Sequence, residues 1–460
     1  MTERGDVMGH TGPGVAGPQP KPEWLHRRLE WFMDQRFGIF FHWGPYCQWD
    51  CCESWPLVPD DPWARPDGMR CWEERGRDLG RFQRDYWDLP RTFNPTDFDP
   101  DAWAEAAAAA GMRYVTFTTK HHDGFCMFDT ATTDYRITHP SYPFHAHPRA
   151  NIAREVFEAF RRRNLAISCY FSKSDWRSPH YWSPSWPAQT RNPNYDTREN
   201  PEIWERFVQF VHAQVRELMT NYGPVDLLWL DGGQVNAANG QDIRMADMAA
   251  MARALQPGLI VADRTVGGDF EDFITPEHQI PDTPLDTPWE SCLTLGTSWK
   301  FVEGEVFRPA HEVIRMLAET ASKGGNLLLG FGPDPQGRLP AGAVQRLREV
   351  GRWMDAAGEA IHGTRPIPPY GGDGVRYTAR GATTWAIVLD PPATLRTGRL
   401  VQLPGLCPAR GAAVTACGLP GALAWRATGE GCEVTLPSEI SGPMPVALRF
   451  DRGQTVGAAG

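Results

Sequence analysis

From Glu23 to Arg36 apolar side chains recur at helical spacing, with Trp24, Leu25, Leu29, Trp31 and Phe32 gathered toward one face. The pattern then changes. Phe37-Gly-Ile-Phe-Phe is a short apolar run of the kind that forms a strand buried on both faces, and it ends in His42-Trp43-Gly44. The next fifty or so residues, rich in Trp, Pro and Asp and containing Glu53 and Trp55, read as a long functional loop. Beyond it helices and strands alternate. Asp99 to Gly111 is an Asp-capped, alanine-rich helix closed by glycine, and it feeds the β-branched and aromatic strand Tyr114 to Thr119. Helix Asn151 to Arg163 leads to strand Leu165 to Phe171. Helix Pro201 to Asn221 leads to Val225 to Leu230, and helix Ile243 to Ala254 to Leu259 to Ala262. Trp289 to Leu295 is a further strand candidate; helix Ala310 to Lys323 leads to Asn326 to Gly332, and Pro340 to Met354 is the last long helix.

Polar residues stand just after each strand, which predicts a parallel (β/α)8-like barrel of the TIM type over residues 23–360, its site at the carboxyl ends of the strands. An open doubly wound sheet is the alternative, but no Gly-rich phosphate loop follows an early strand. Past Arg365 Pro and Gly punctuate short apolar runs without helical period, as in a small antiparallel β-sandwich over residues 365–455. Residues 1–22 read as a disordered tail. They lack the apolar segment of a secretion signal, so the expected location is cytoplasmic.

The net charge of −10, with no basic stripe to offset it, argues against a nucleic-acid partner, and no apolar run is long enough to span a bilayer. Ten cysteines are scattered without repeated CxxC pairs, which argues against a zinc ribbon or a dense disulfide framework. The adjacent Cys51 and Cys52 have no explanation at this level. Nineteen Trp residues are unusual, and Trp in loops beside carboxylates suits sugar binding, because the apolar faces of pyranoses stack on rings.

In a barrel, the side chains at or near the strand ends face one basin: His42, Glu53 from the loop, His121, His122, Tyr170, Trp229, Asp231 and Arg264. Their types suit a polyhydroxylated ligand, with His and Glu bonding hydroxyls and Trp covering an apolar face. Asp231, at the end of a buried strand and before two glycines, is the candidate nucleophile; taken alone it reads equally as the opening of a turn. The histidines show no HxH or HExxH spacing, so no metal or other cofactor is expected.

Phe37 to Gly44, Lys120-His-His-Asp-Gly-Phe125, Leu228-Trp-Leu-Asp-Gly232, Pro288-Trp-Glu-Ser-Cys292 with Ser298-Trp299, and Lys323 to Leu329 with Gly332-Pro-Asp334 resemble, in order, the motifs of the α-L-fucosidases of glycoside hydrolase family 29. The resemblance implies a retaining exo-glycosidase that removes terminal α-L-fucose from a fucosylated oligosaccharide or glycoconjugate through a covalent glycosyl-Asp231 intermediate. It implies Glu290, 59 residues after Asp231, as the preferred acid/base, with Glu277, 46 residues after, as the alternative. It further implies that His42, His121 and His122 hold fucose hydroxyls, that Glu53, Tyr170, Trp229 and Arg264 complete the pocket, and that Trp299 packs near the sugar's methyl group. Two departures stand out. Gly330-Phe331 replaces the family's Asn-Ile, and Gln336-Gly337 replaces its Asp-Gly. The competing functions are a non-catalytic fucose-binding protein and a glycosidase for galactose or another sugar. A metal-assisted hydrolase would lose activity to a chelator; incubation with EDTA before assay is expected to leave the initial rate unchanged.

Overall fold

The computed structural model describes residues 21–391, 399–437, 440 and 443–452, so most of the expected N-terminal tail lies outside the described residues. Seven parallel strands form one curled sheet: β1 (Phe37–Phe41), β2 (Tyr114–Lys120), β3 (Ala166–Ser172), β4 (Leu227–Asp231), β5 (Ile260–Asp263), β6 (Glu290–Thr294) and β7 (Asn326–Phe331), in the order β5-β4-β3-β2-β1-β7-β6. Every strand except Ala166 at the start of β3 is buried along its length, as a sheet covered on both faces requires. Helices Pro100–Ala109, Ile152–Arg162, Pro201–Asn221, Met245–Leu255 and Ala310–Ser322 supply crossovers, and Ala341–Ala357 follows the last parallel strand. Asp99 and Asn151 cap the first two of these through their side chains.

Alternation along each strand sorts side chains into two cores. Phe40, Tyr114, Tyr170, Trp229, Cys292 and Leu328 fill the barrel interior. Ile39, Phe41, Val115, Phe117 and Leu327 meet the surrounding helices. The amphipathic helix Glu23–Gln35 inserts Leu25, Leu29, Phe32 and Met33 into the interior cluster, and Phe32 meets Tyr114, the first residue of β2, edge to face at 5.5 Å. It therefore plugs the amino-terminal end of the barrel. The carboxyl ends are left to the loops.

Among the described residues no eighth regular strand joins this sheet. Residues 264–289 span the seam between β5 and β6 through isolated pairings of Ala262 with Glu271, Ile274 with Trp289 and Glu277 with Cys292. Pro276, Pro281, Pro284 and Pro288 each remove a ladder donor from this stretch, which explains why it closes the seam irregularly. Beyond Arg365 come two antiparallel sheets, one of six strands and one of three. They share a core that includes Ile367, Tyr377, Leu403 and Val434, in keeping with the expected sandwich. Among the described residues no helix is long and apolar enough to cross a membrane.

Gly38 faces Tyr114 in the β1–β2 register, and a Cβ there would lie 2.3 Å from the tyrosine ring. The missing side chain makes the space that Tyr114 occupies. Gly38→Ala is expected to lower the unfolding free energy by about 1–3 kcal/mol through overpacking; urea denaturation that showed no loss would contradict this packing.

Candidate active site

Asp231 is the last residue of β4 and so stands at the carboxyl rim of the barrel. Donors converge on it. The Tyr170 hydroxyl donates to Oδ2 at 2.6 Å, the Gly232 N–H to Oδ1 at 2.8 Å, and Arg264 Nη1 to Oδ1 at 3.1 Å. His122 Nε2 lies 3.6 Å from Oδ2. Tyr170 is held protonated by burial and by the adjacent carboxylate, so it remains a donor.

Arg264 follows β5 and is buried. Its Nη2 bonds Glu277, its Nε donates to Thr275 Oγ1 at 3.1 Å, and its guanidinium lies 4.9 Å from the Trp229 ring centre. One planar cation thus holds Asp231 on one arm and Glu277 on the other. Glu277 also accepts from Trp299 Nε1 at 3.2 Å. Burial pushes its carboxyl up, but the charges of Arg264 and His278 outweigh burial and hold it below the usual glutamate value. Burial likewise opposes the charge on Arg264, and the two carboxylates more than restore it.

His42, Glu53, His121, Tyr170, Trp229, Asp231, Arg264, Glu277 and Trp299 line one pocket together with Phe40, Trp55 and Cys292. The histidines there are neutral: burial lowers His42 to about 3 and takes His121 well below its ordinary value. Neutral imidazoles both donate and accept, which is what sugar hydroxyls require. His121 shares a hydrogen with Ser54 at 2.6 Å, and His122 Nδ1 contacts Ser172 at 2.6 Å. Glu53 takes a left-handed backbone conformation (φ 40°) and accepts from Cys52 Sγ at 3.2 Å and from the Lys300 N–H at 3.2 Å. Cys51 Sγ contacts the Glu53 carbonyl at 3.4 Å. The unexplained cysteine pair therefore steadies a pocket carboxyl.

Trp299 packs between Phe40 (5.7 Å) and His42 (5.1 Å), and a Cβ on Gly330 would lie 2.5 Å from its ring. The departure at Gly330 is thus the notch that admits the indole. Ser54 and Thr275 are not legible in the sequence because they act through partners remote along the chain, and His278 because it acts on the adjacent Glu277, whose place in the pocket the fold decides.

Glu290 lies elsewhere. It is the first residue of β6, paired with Asn326, the first of β7, and so belongs to the amino-terminal half of the barrel. Its oxygens accept from the Tyr114 hydroxyl at 2.6 Å and from Trp229 Nε1 at 3.1 Å, and it does not line the pocket. The preference for Glu290 over Glu277 therefore finds no support in its position: a strand's first residue points at the barrel floor, however suggestive the motif around it.

The donor atoms of His121, His122 and Asp231 lie within 4.8 Å of one another, a spacing that a metal could use. Both Asp231 oxygens already accept hydrogen bonds, and the Arg264 guanidinium beside them repels a cation, so the set is better suited to a neutral ligand.

The alpha-L-fucosidase family profile matches residues 18–359. The chain is 28% identical over 359 residues, 73% of its length and 67% of the relative's, to a putative alpha-L-fucosidase of Caenorhabditis elegans. It is 27% identical to the tissue alpha-L-fucosidase of Rattus norvegicus, covering 94% of this chain and 92% of that one. Among solved structures it resembles alpha-L-fucosidase isoenzyme 1 of Paenibacillus thiaminolyticus, with a TM-score of 0.75, 29% identity, and coverage of 94% of this chain and 100% of that one. It also resembles the Thermotoga maritima alpha-fucosidase solved in complex with fucose, with a TM-score of 0.72, 25% identity, and coverage of 94% of this chain and 99% of that one.

Burial raises Glu290 from its ordinary value to about 7, against the pull of the Tyr114 and Trp229 hydrogen bonds. A carboxyl raised in the folded state contributes its full stability below the unfolded value and loses it as pH rises through 7. Glu290→Gln cannot ionise, and with its amide oxygen accepting from Trp229 Nε1 its NH2 group can donate to the Tyr114 hydroxyl. The variant is therefore expected to gain up to about 3 kcal/mol over the wild type between pH 5 and 8, measured by urea unfolding, while retaining activity. A stability difference independent of pH would contradict this assignment.

Proposed function

The chain belongs to the alpha-L-fucosidase family and is a glycoside hydrolase; we propose that it removes terminal α-L-fucose with retention of configuration, Asp231 acting as nucleophile and Glu277 as acid/base. The observation that carries this reading is the pair of carboxylates held on the two arms of Arg264 at the rim of the barrel. Retaining enzymes keep their two carboxyl groups close, roughly 5–5.5 Å apart, and here both carboxylates bond the same guanidinium. Asp231 attacks the anomeric carbon while Glu277 protonates the departing glycosidic oxygen. Water, deprotonated by Glu277, then releases the sugar from the ester.

Glu277 must carry a proton for the first step, yet Arg264 favours its ionised form. A sugar ring seated between the two carboxylates separates Glu277 from the guanidinium and buries it further, and both changes favour the protonated acid. His42 and His121 bond the hydroxyls, His122, which does not line the pocket, bears on Asp231 from 3.6 Å, and Trp299 covers the methyl group. An apolar wall here discriminates fucose from a galactose-like sugar, which carries a hydroxyl on that carbon. The substrate class is a fucosylated glycan.

Activity on an aryl α-L-fucoside beside α- and β-galactosides tests the sugar; hydrolysis of only the galactosides would refute it. Asp231→Ala is expected to abolish turnover, whereas a fucose-binding protein would have no turnover to lose. Glu277→Ala is expected to slow hydrolysis about 100- to 10,000-fold, with azide restoring the rate and yielding α-fucosyl azide. Rescue of Glu290→Ala instead would refute the choice of acid.

A further inference from the structure

The pocket at Asp231 opens into a much larger space. A cleft of about 1310 Å³ lies beside it, and Glu53, Glu277 and Trp299 line both. An acid that protonates the glycosidic oxygen sits at the boundary between the sugar released and the group it leaves. Whatever is attached beyond that oxygen must therefore extend from Glu277 away from Asp231, which is the direction of the cleft. Its volume exceeds the roughly 300–1,000 Å³ that encloses a drug-sized ligand, so it accommodates several sugar rings.

The chemistry of the walls narrows the occupant. Trp63 and Phe301 offer aromatic surface, and Gln336 offers an amide. The charged groups are largely committed to the protein: Lys300 Nζ donates to the Trp49 carbonyl at 2.8 Å, Arg338 pairs with Asp334 at 2.9 Å, and Asp50 accepts the N–H groups of Arg70 and Cys71 at 2.7 and 3.0 Å. Rings and amides match the apolar faces and hydroxyl edges of uncharged sugars. The Trp-rich loop from Trp176 to Tyr195 contributes none of the lining residues.

We propose that this cleft is the leaving-group site and takes a neutral oligosaccharide of two or more sugar units beyond the fucose. The assignment rests on the fucosidase reading with Glu277 as acid. Methyl α-L-fucoside and a fucosylated neutral tetrasaccharide both release an alkyl alcohol, so intrinsic reactivity is similar and the difference in kcat/KM reads the cleft. The wild type is expected to favour the tetrasaccharide at least tenfold, mainly through KM. Gln336→Trp, which fills the cleft from an exposed position, and Phe301→Ala, which removes a wall, are expected to abolish that preference while leaving methyl fucoside within twofold. The tetrasaccharide lacking fucose is expected to inhibit the wild type and not Gln336→Trp. Equal kcat/KM on both substrates, or a preference for a sulfated tetrasaccharide over the neutral one, would overturn the cleft assignment alone. Failure to hydrolyse any fucoside would overturn the fucosidase reading and this assignment with it.

Discussion

Two carboxylates buried side by side would repel each other strongly where water cannot screen them. The Arg264 guanidinium removes that conflict by binding Asp231 and Glu277 at once. Its own position is fixed by Thr275 at the edge and Trp229 against the face. The cation is thus the geometric centre of the site. It orients the candidate nucleophile on one arm and holds the candidate acid on the other.

The barrel supports this arrangement from below. Aromatic side chains fill its interior in layers, with Tyr170 stacked on Trp229 at 5.3 Å and Phe40 against both. Each of these rings also has a link to the rim: Tyr170 holds Asp231, Trp229 lies against Arg264, and Phe40 packs on His42 at 4.1 Å. Glycines are part of the same design. Gly38 makes room for Tyr114 and Gly330 for Trp299, so small residues on β1 and β7 decide where large ones sit on neighbouring elements. Glu290, beneath Trp229, belongs to this support and not to the pocket it underlies.

Much of the fold could be read from local pattern, because a buried parallel strand is a continuous apolar run and its crossover helix has a 3.6-residue period. Helix Pro201–Asn221 was read to the residue. The Asp231 strand was read two residues early at its start, since Val225 and Asp226 precede the ladder. The seam at residues 264–289 was not legible as a structural element, because its pairings are isolated and its prolines break every periodicity. Glu277 lies in that seam. The rule that singles out Asp231, namely that a parallel strand delivers its last residue to the site, also disfavours Glu290, the second residue of the strand predicted over Trp289 to Leu295. A familiar motif outweighed that rule. Ser54 and Tyr114 are illegible for a different reason: each matters only through a partner that the fold brings to it.

The direct test is to trap the covalent intermediate with 2-deoxy-2-fluoro-α-L-fucosyl fluoride, whose ring fluorine slows both chemical steps while the good leaving group lets the ester accumulate. Peptide mass spectrometry of the inactivated protein is expected to place one fluorofucosyl group on Asp231. Labelling of any other residue, or steady turnover without a detectable adduct, would contradict the account.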